Sequence, residues 1–266
     1  ALARLTEAHG VDEALFQALA AALGYKSNKL PFTLLAQRLP LRFLQRSKEE
    51  VEALLFGVSG FLGGIEPTAC DQSTRTYLRA LWERWWARRS EMQRLILQPD
   101  QWKCSGQRPA NHPQRRLAAL AQCVRHWPKL RALRESGEPK VVREFFGQLA
   151  DEYWEHHYTL TSAPSARPMA LVGETRIVDL LANVFIPFAI SSNPRLVDTF
   201  AALRAPLSNR RVEIAAIRLF GPDASRREWL RSVAVQQGLL QIYEDFCLRD
   251  ASDCACCRFP EQVAKW

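Results

Sequence analysis

The feature that most narrows the fold is the spacing of apolar residues. They recur every three or four positions almost throughout the chain, while the two-residue alternation of a half-buried strand is scarce. An all-α fold follows, an irregular multi-helix bundle ending in a cysteine-rich tail. Leu15, Phe16, Leu19 and Leu23 form one stripe of a first helix that should stop at Gly24, which is free to adopt left-handed backbone. Ser47 with Glu50 three residues on reads as a capping box opening a helix through Val51, Leu54 and Leu55, which Gly57, Gly60, Gly63 and Gly64 then break into a loop. Pro113 marks the first turn of a helix ending near Trp127, and another helix runs from about Val141 to Tyr158. A buried helix is centred on Val184, shorter ones surround Leu203 and Ile214, and a long amphipathic helix spans about Ser225 to Phe246. The reading is one helical domain of 1–266. Its one candidate sub-division is the linker at 159–172, which contains Pro164 and Pro168 and separates 1–158 from 173–266.

Several classes are disfavoured. The longest apolar stretch, Ile177 to Ile190, is 14 residues long and is broken by Asp179, Asn183 and Pro187; a membrane span needs about 20. No charged start followed by an apolar run and a small-residue cleavage site is present, so export is not expected. Seven cysteines, an odd number, then point to a cytoplasmic chain with thiol or metal chemistry rather than a disulfide frame. No Walker loop, His-Glu-x-x-His, Gly-x-Ser-x-Gly or Rossmann glycine pattern occurs, and no reaction is legible.

Charge is unevenly placed. The formal total is +8, yet Thr74 to Glu144 holds 16 Lys and Arg against 6 Asp and Glu, a net of +10, and carries five of the eight tryptophans. Such a segment suits a negatively charged partner, nucleic acid above all, although solvated surface arginines would look the same. Within the element from Asp71 to Leu97, Leu78, Leu81, Trp85 and Met92 share a core stripe at 100° per residue. Arg75, Arg79, Trp82, Trp86 and Arg89 share the next, where guanidinium groups grip phosphates and indoles stack bases, or where arginines edge an apolar face beneath a second helix. Arg108, Asn111, Arg115 and Arg116 stand at the loop-to-helix junction before and after Pro113, where free backbone N–H groups favour a phosphate; alternatively Asn111 caps the helix and the arginines face water.

Two further clusters carry chemistry. Cys247, Cys254 and Cys257, with Cys256 adjacent, have spacings suited to a zinc ion or, as the second choice, an iron–sulfur cluster; free thiols on a tail are the alternative. Glu152, Tyr153, His156 and His157 are expected in a last helical turn, with Glu152 and His156 four apart and able to touch. A histidine beside a carboxylate could serve as general base, or could simply cap a helix end.

Several blocks together resemble an uncharacterised bacterial family known as domain of unknown function 2851. They are Gly24-Tyr25-Lys26 with Asn28 and Pro31-Phe32, Glu52 to Gly57, Arg108 to Asn111 with Pro113 and Arg116-Leu117-Ala118, Tyr153-Trp154 with His157-Tyr158, Asn183 with Pro187, and Gln237 with Leu239-Leu240 leading to Cys247. The resemblance implies the helical, C-terminal part of a longer protein whose additional β-containing region resembles a restriction-endonuclease core, so that this part would be accessory to cutting. The chain departs from the family after the cysteines, where Arg258-Phe259-Pro260 stands in place of Ile-Gly. The leading expectation is thus a non-catalytic nucleic-acid-binding module with a cysteine-rich metal site. A helical protein-interaction scaffold with structural zinc, and an enzyme using the region from Glu152 to Tyr158, are the alternatives.

Overall fold

A computed structural model describes residues 2–66, 68, 70–106, 108–206, 209–223, 228–248, 254 and 256–265. Among them the chain is helical with no strand, and it divides into two compact units, 1–192 and 193–266. The stretch 159–172 runs within the first unit.

The first unit is built around a helix that solvent does not reach. Helix α6 (Pro113–Arg125) is buried at every residue from Arg115 to Val124 and packs against α2 (Val11–Arg38), α3 (Leu41–Arg46), α4 (Val51–Val58) and α7 (Trp127–Ser136). Its alanines let those neighbours approach closely, and its start at Pro113 is where the sequence places it. The N-cap is His112, whose ring accepts from the Gln114 N–H, rather than Asn111. Helix α4 is buried along its whole length and packs on α5 (Gln72–Met92), which Asp71 opens by accepting from the Thr74 N–H. Leu78, Leu81, Trp85 and Met92 are buried as expected.

Local signals were overruled in four places. The loop after α4 forms as expected, with Gly60 and Gly64 at positive φ, but Gly57 itself stays helical and admits an indole, since a Cβ there would lie 2.1 Å from the Trp85 ring. Ser47 makes no capping bond, and a 3₁₀ turn (Lys48–Glu50) leads into α4 in place of a capping box. In α2 the kink falls one residue past Gly24: Tyr25 takes φ 52°, and Asn28 also leaves helical geometry. Gly24 is needed for a different reason, since a Cβ would stand 3.0 Å from the Lys29 backbone and from Phe32. Helix α8 (Pro139–Gly147) stops well short of Tyr158, and residues 152–156 form turns. The apolar helix around Val184 is present as α9 (Glu174–Leu180), a π-helical turn (Leu181–Phe185) and α10 (Ile186–Ala189).

The second unit has its own small core of Val212, Ala215, Ala216, Leu230 and Leu239. Helices α11 (Leu196–Ala202) and α12 (Arg210–Phe220) pack on α13 (Val233–Ile242). The long helix expected from Ser225 begins only at Val233, after a 3₁₀ turn at Glu228–Arg231; Ser225 itself lies outside the described residues. Helix α14 (Phe259–Val263) ends the described chain.

Candidate functional site

The arginine and tryptophan stripe of α5 faces outward. Trp86 is 60% exposed, and the Arg89 guanidinium lies over its ring at 4.6 Å. Trp82 is half-buried and donates from its indole N–H to the Leu62 carbonyl at 3.2 Å, which fixes the stripe against the loop after α4. Arg75 is held to Gln72 Oε1 at 3.0 Å, and Arg79 is exposed. Among the described residues Arg75, Arg79 and Arg89 form no ion pair, whereas Arg88 on another face meets Glu50 and Glu91. This surface can present planar cations and an indole face to an anionic, aromatic ligand.

At the α6 junction the arginines divide. Arg108 is exposed and Asn111 half-buried, but Arg115 and Arg116 turn inward. The Arg115 guanidinium donates to the carbonyls of Trp154, His157, Met169 and Ala170, drawing two strands of the 154–170 loop onto one fork. Burial pushes its pKa down, as expected for a cation surrounded by carbonyls rather than carboxylates. Arg116 donates to Asn111 Oδ1 at 2.6 Å, so Asn111 positions a guanidinium instead of capping the helix.

That loop carries the histidine region. The Tyr153 ring is stacked between Tyr77 at 3.8 Å and His157 at 3.9 Å, and its hydroxyl donates to the Leu160 carbonyl at 2.9 Å. Burial drives the Tyr153 pKa up to about 12. His157 Nδ1 lies 2.8 Å from the Tyr153 carbonyl, which can only accept, so Nδ1 carries the proton. Nε2 is buried with no partner among the described residues. His156 Nδ1 meets the Ser165 carbonyl at 2.8 Å, while Glu152 is exposed. The structure brings Tyr153 and His157 together and leaves Glu152 outside that column.

Glu52, which chemical reasoning from sequence did not single out, anchors the other side. Its carboxylate accepts from Tyr77 Oη at 2.6 Å, Trp154 Nε1 at 3.1 Å and Arg125 at 3.2 Å. Burial, and then the Glu52 charge, raise Tyr77 well above the usual phenol range. The signal was available: an acid inside the apolar run Val51 to Val58 must be paired if that helix is buried.

In the second unit, interaction with Cys247 first, and more weakly with Cys254, raises the pKa of Arg218. Cys254 and Cys256 are exposed and Cys257 is half-buried. Among the described residues no three His, Cys, Asp or Glu side chains come together in a way that could hold a metal ion; 249–253 and Ala255, which link the cysteines, lie outside them. No described helix is long and apolar enough to cross a membrane.

A model of the family described as "Protein of unknown function (DUF2851)" matches residues 3–202. No curated protein and no solved structure matches the chain.

Proposed function

The chain belongs to the DUF2851 family, and we propose that it is a nucleic-acid-binding module whose contact surface is the outward stripe of α5, with single strands as the preferred form. The observation that carries this reading is the exposed Trp86 ring stacked with Arg89, in line with Trp82, Arg75 and Arg79, with none of these three arginines in an ion pair among the described residues. An exposed indole face can stack on a base whatever its sequence, because every base has a π-face. Guanidinium groups one helical turn apart then reach successive phosphates, which orient the strand without reading its sequence.

Fluorescence anisotropy with labelled single-stranded and duplex oligonucleotides tests this. Affinity should fall steeply between about 50 and 200 mM salt as counterions are released. Trp86→Ala should cost about 1–3 kcal/mol for single strands, and Arg79→Ala should lower the salt slope by about one. No binding at low salt, or full affinity in Trp86→Ala, overturns the reading.

A further inference from the structure

We propose that Arg116, Arg176 and Tyr25 form a binding site for a phosphomonoester dianion attached to a flat ring, a site separate from the α5 surface. Arg116 sits in the first turns of α6 and Arg176 at the start of α9, and both are almost wholly buried, at 5% and 7% exposed. Their existing bonds are few. Arg116 reaches Asn111 at 2.6 Å and the Leu171 carbonyl only at 3.5 Å. Arg176 donates through Nη1 to Asp179 at 2.8 Å, and its Nε is buried with no acceptor among the described residues. An arginine fork has five N–H donors, so much of this donor capacity is open.

The charge does not close either. The charged groups that bear on Arg116 are Arg176 and Arg115, which oppose its charge, and Asp179, which favours it. Those bearing on Arg176 are Asp179 and Tyr25. Two buried guanidiniums, Arg116 and Arg176, therefore share one carboxylate, and with burial as the main cause the Arg116 pKa falls to about 9. Uncompensated buried cations call for a counterion, and paired forks match the oxygens and near-double charge of a phosphomonoester better than they match a halide.

Tyr25 supplies the ring preference. It holds φ 52°, a conformation side chains other than glycine rarely adopt, while Asn28 locks the kink by donating to the Lys103 carbonyl and accepting from its N–H. The strained backbone sets the phenol ring against the Arg176 guanidinium at 4.0 Å and leaves the residue 52% exposed. Together with the Asp179 side chain, 37% exposed, it places the solvent edge of the cluster beside a stacking surface. Inorganic phosphate shares the oxyanion chemistry but not the ring, so the two sources can be separated.

Calorimetric titration and thermal shifts with inorganic phosphate, adenosine 5′-monophosphate and adenosine provide the test. The nucleotide should bind roughly 5–150-fold more tightly than phosphate, the worth of one stacked ring, and adenosine should bind neither tightly nor in an Arg176-dependent way. Arg176→Gln should abolish both anion responses, whereas Tyr25→Gly, a residue suited to the positive φ, should erase the nucleotide's advantage and keep phosphate binding. If Arg176→Gln does not fold, the Tyr25→Gly comparison decides. Equal binding of nucleotide and phosphate, lost in Arg176→Gln, assigns the site to free phosphate. No binding of either, or responses unchanged in the variants, overturns the proposal. Trp86→Ala should leave all of these responses intact, which separates failure here from failure of the α5 reading.

Discussion

Replacing Glu52 by alanine should reveal how far the first unit depends on one buried carboxylate. In the folded chain that group accepts three hydrogen bonds, from Tyr77, Trp154 and Arg125. Charge-assisted bonds of this kind contribute about 1.5–3 kcal/mol each when buried. The Arg125 side chain is 31% exposed, so its bond is discounted towards the surface range of about 0–1 kcal/mol. Glu52→Ala also removes volume from a helix that is buried throughout, and leaves the Tyr77 hydroxyl proton without its acceptor. The expected loss is about 3–5 kcal/mol, the range for breaking a buried charged network from one side. For a unit of 192 residues this corresponds to a fall in Tm of about 6–20 °C. Glu52→Gln keeps the oxygen facing Tyr77 and Trp154, weakens each bond by about half, and should cost about 1.5–2.5 kcal/mol. Adding Tyr77→Phe to Glu52→Ala should recover none of the loss, because the buried Trp154 Nε1–H, which donates to Tyr77 Oη at 2.8 Å as well as to Glu52, then loses both of its acceptors. Thermal denaturation followed by near-ultraviolet circular dichroism reads all three. A loss below about 1 kcal/mol for Glu52→Ala, or Arg125→Ala proving more damaging than Glu52→Ala, would refute the assignment of Glu52 as the centre of the network.

Gly57→Ala should destabilise by about 1–3 kcal/mol, since the new methyl meets a buried indole that cannot yield, and it should weaken oligonucleotide binding by shifting α5 although no contact residue changes. Chemical denaturation and anisotropy on the same sample check both effects, and unaltered stability would mean that Trp85 has room to move. The remaining expectation concerns pH: burial holds His112 below its ordinary 6.5, and its neutral ring caps α6 by accepting from Gln114. The unfolded chain therefore binds the extra proton first, so stability is intact above about pH 6.5 and declines as pH falls through and below it, by up to about 1 kcal/mol from this group. Urea titrations at several pH values should show that decline shrink in His112→Asn, which retains a capping oxygen; an identical pH profile in the variant would remove His112 as its source.

What was legible in the sequence was whatever one helix decides by itself. The core stripe of α5, the Pro113 start and the buried helix around Val184 follow from periodicity and from proline chemistry, and these are local. Gly57 was misread because its meaning depends on Trp85, 28 positions away on a neighbouring helix. The stretch after Gly147 carries helix-like spacing, yet its carbonyls at Trp154 and His157 are directed at Arg115, and a helix would have tied them to its own N–H groups. Arg115 and Arg116 read as surface cations for the same reason: nothing near them in sequence says that α2, α3 and α4 close over α6.

That inward turn changes what the basic segment means. Its net charge of +10 overstates the field it presents, because much of the positive charge on α6, α7 and α8 is already engaged. Arg115 and Arg116 are buried, Arg125 meets Glu52, Arg131 meets Asp12, Arg134 meets Glu135 and Arg143 meets Glu174. Along α5 and its 3₁₀ extension, by contrast, Arg75, Arg79, Arg84, Arg89 and Arg94 form no ion pair among the described residues. Folding therefore sorts one basic stretch into two kinds of arginine: those that organise loops and buried polar groups, and a set along α5 and its extension without ion pairs among the described residues, of which the exposed Arg79 and Arg89 share the face of Trp86. A polyanion is attracted by the second kind alone, so charge reversals on α7 or α8 should affect its affinity far less than the same reversals on α5.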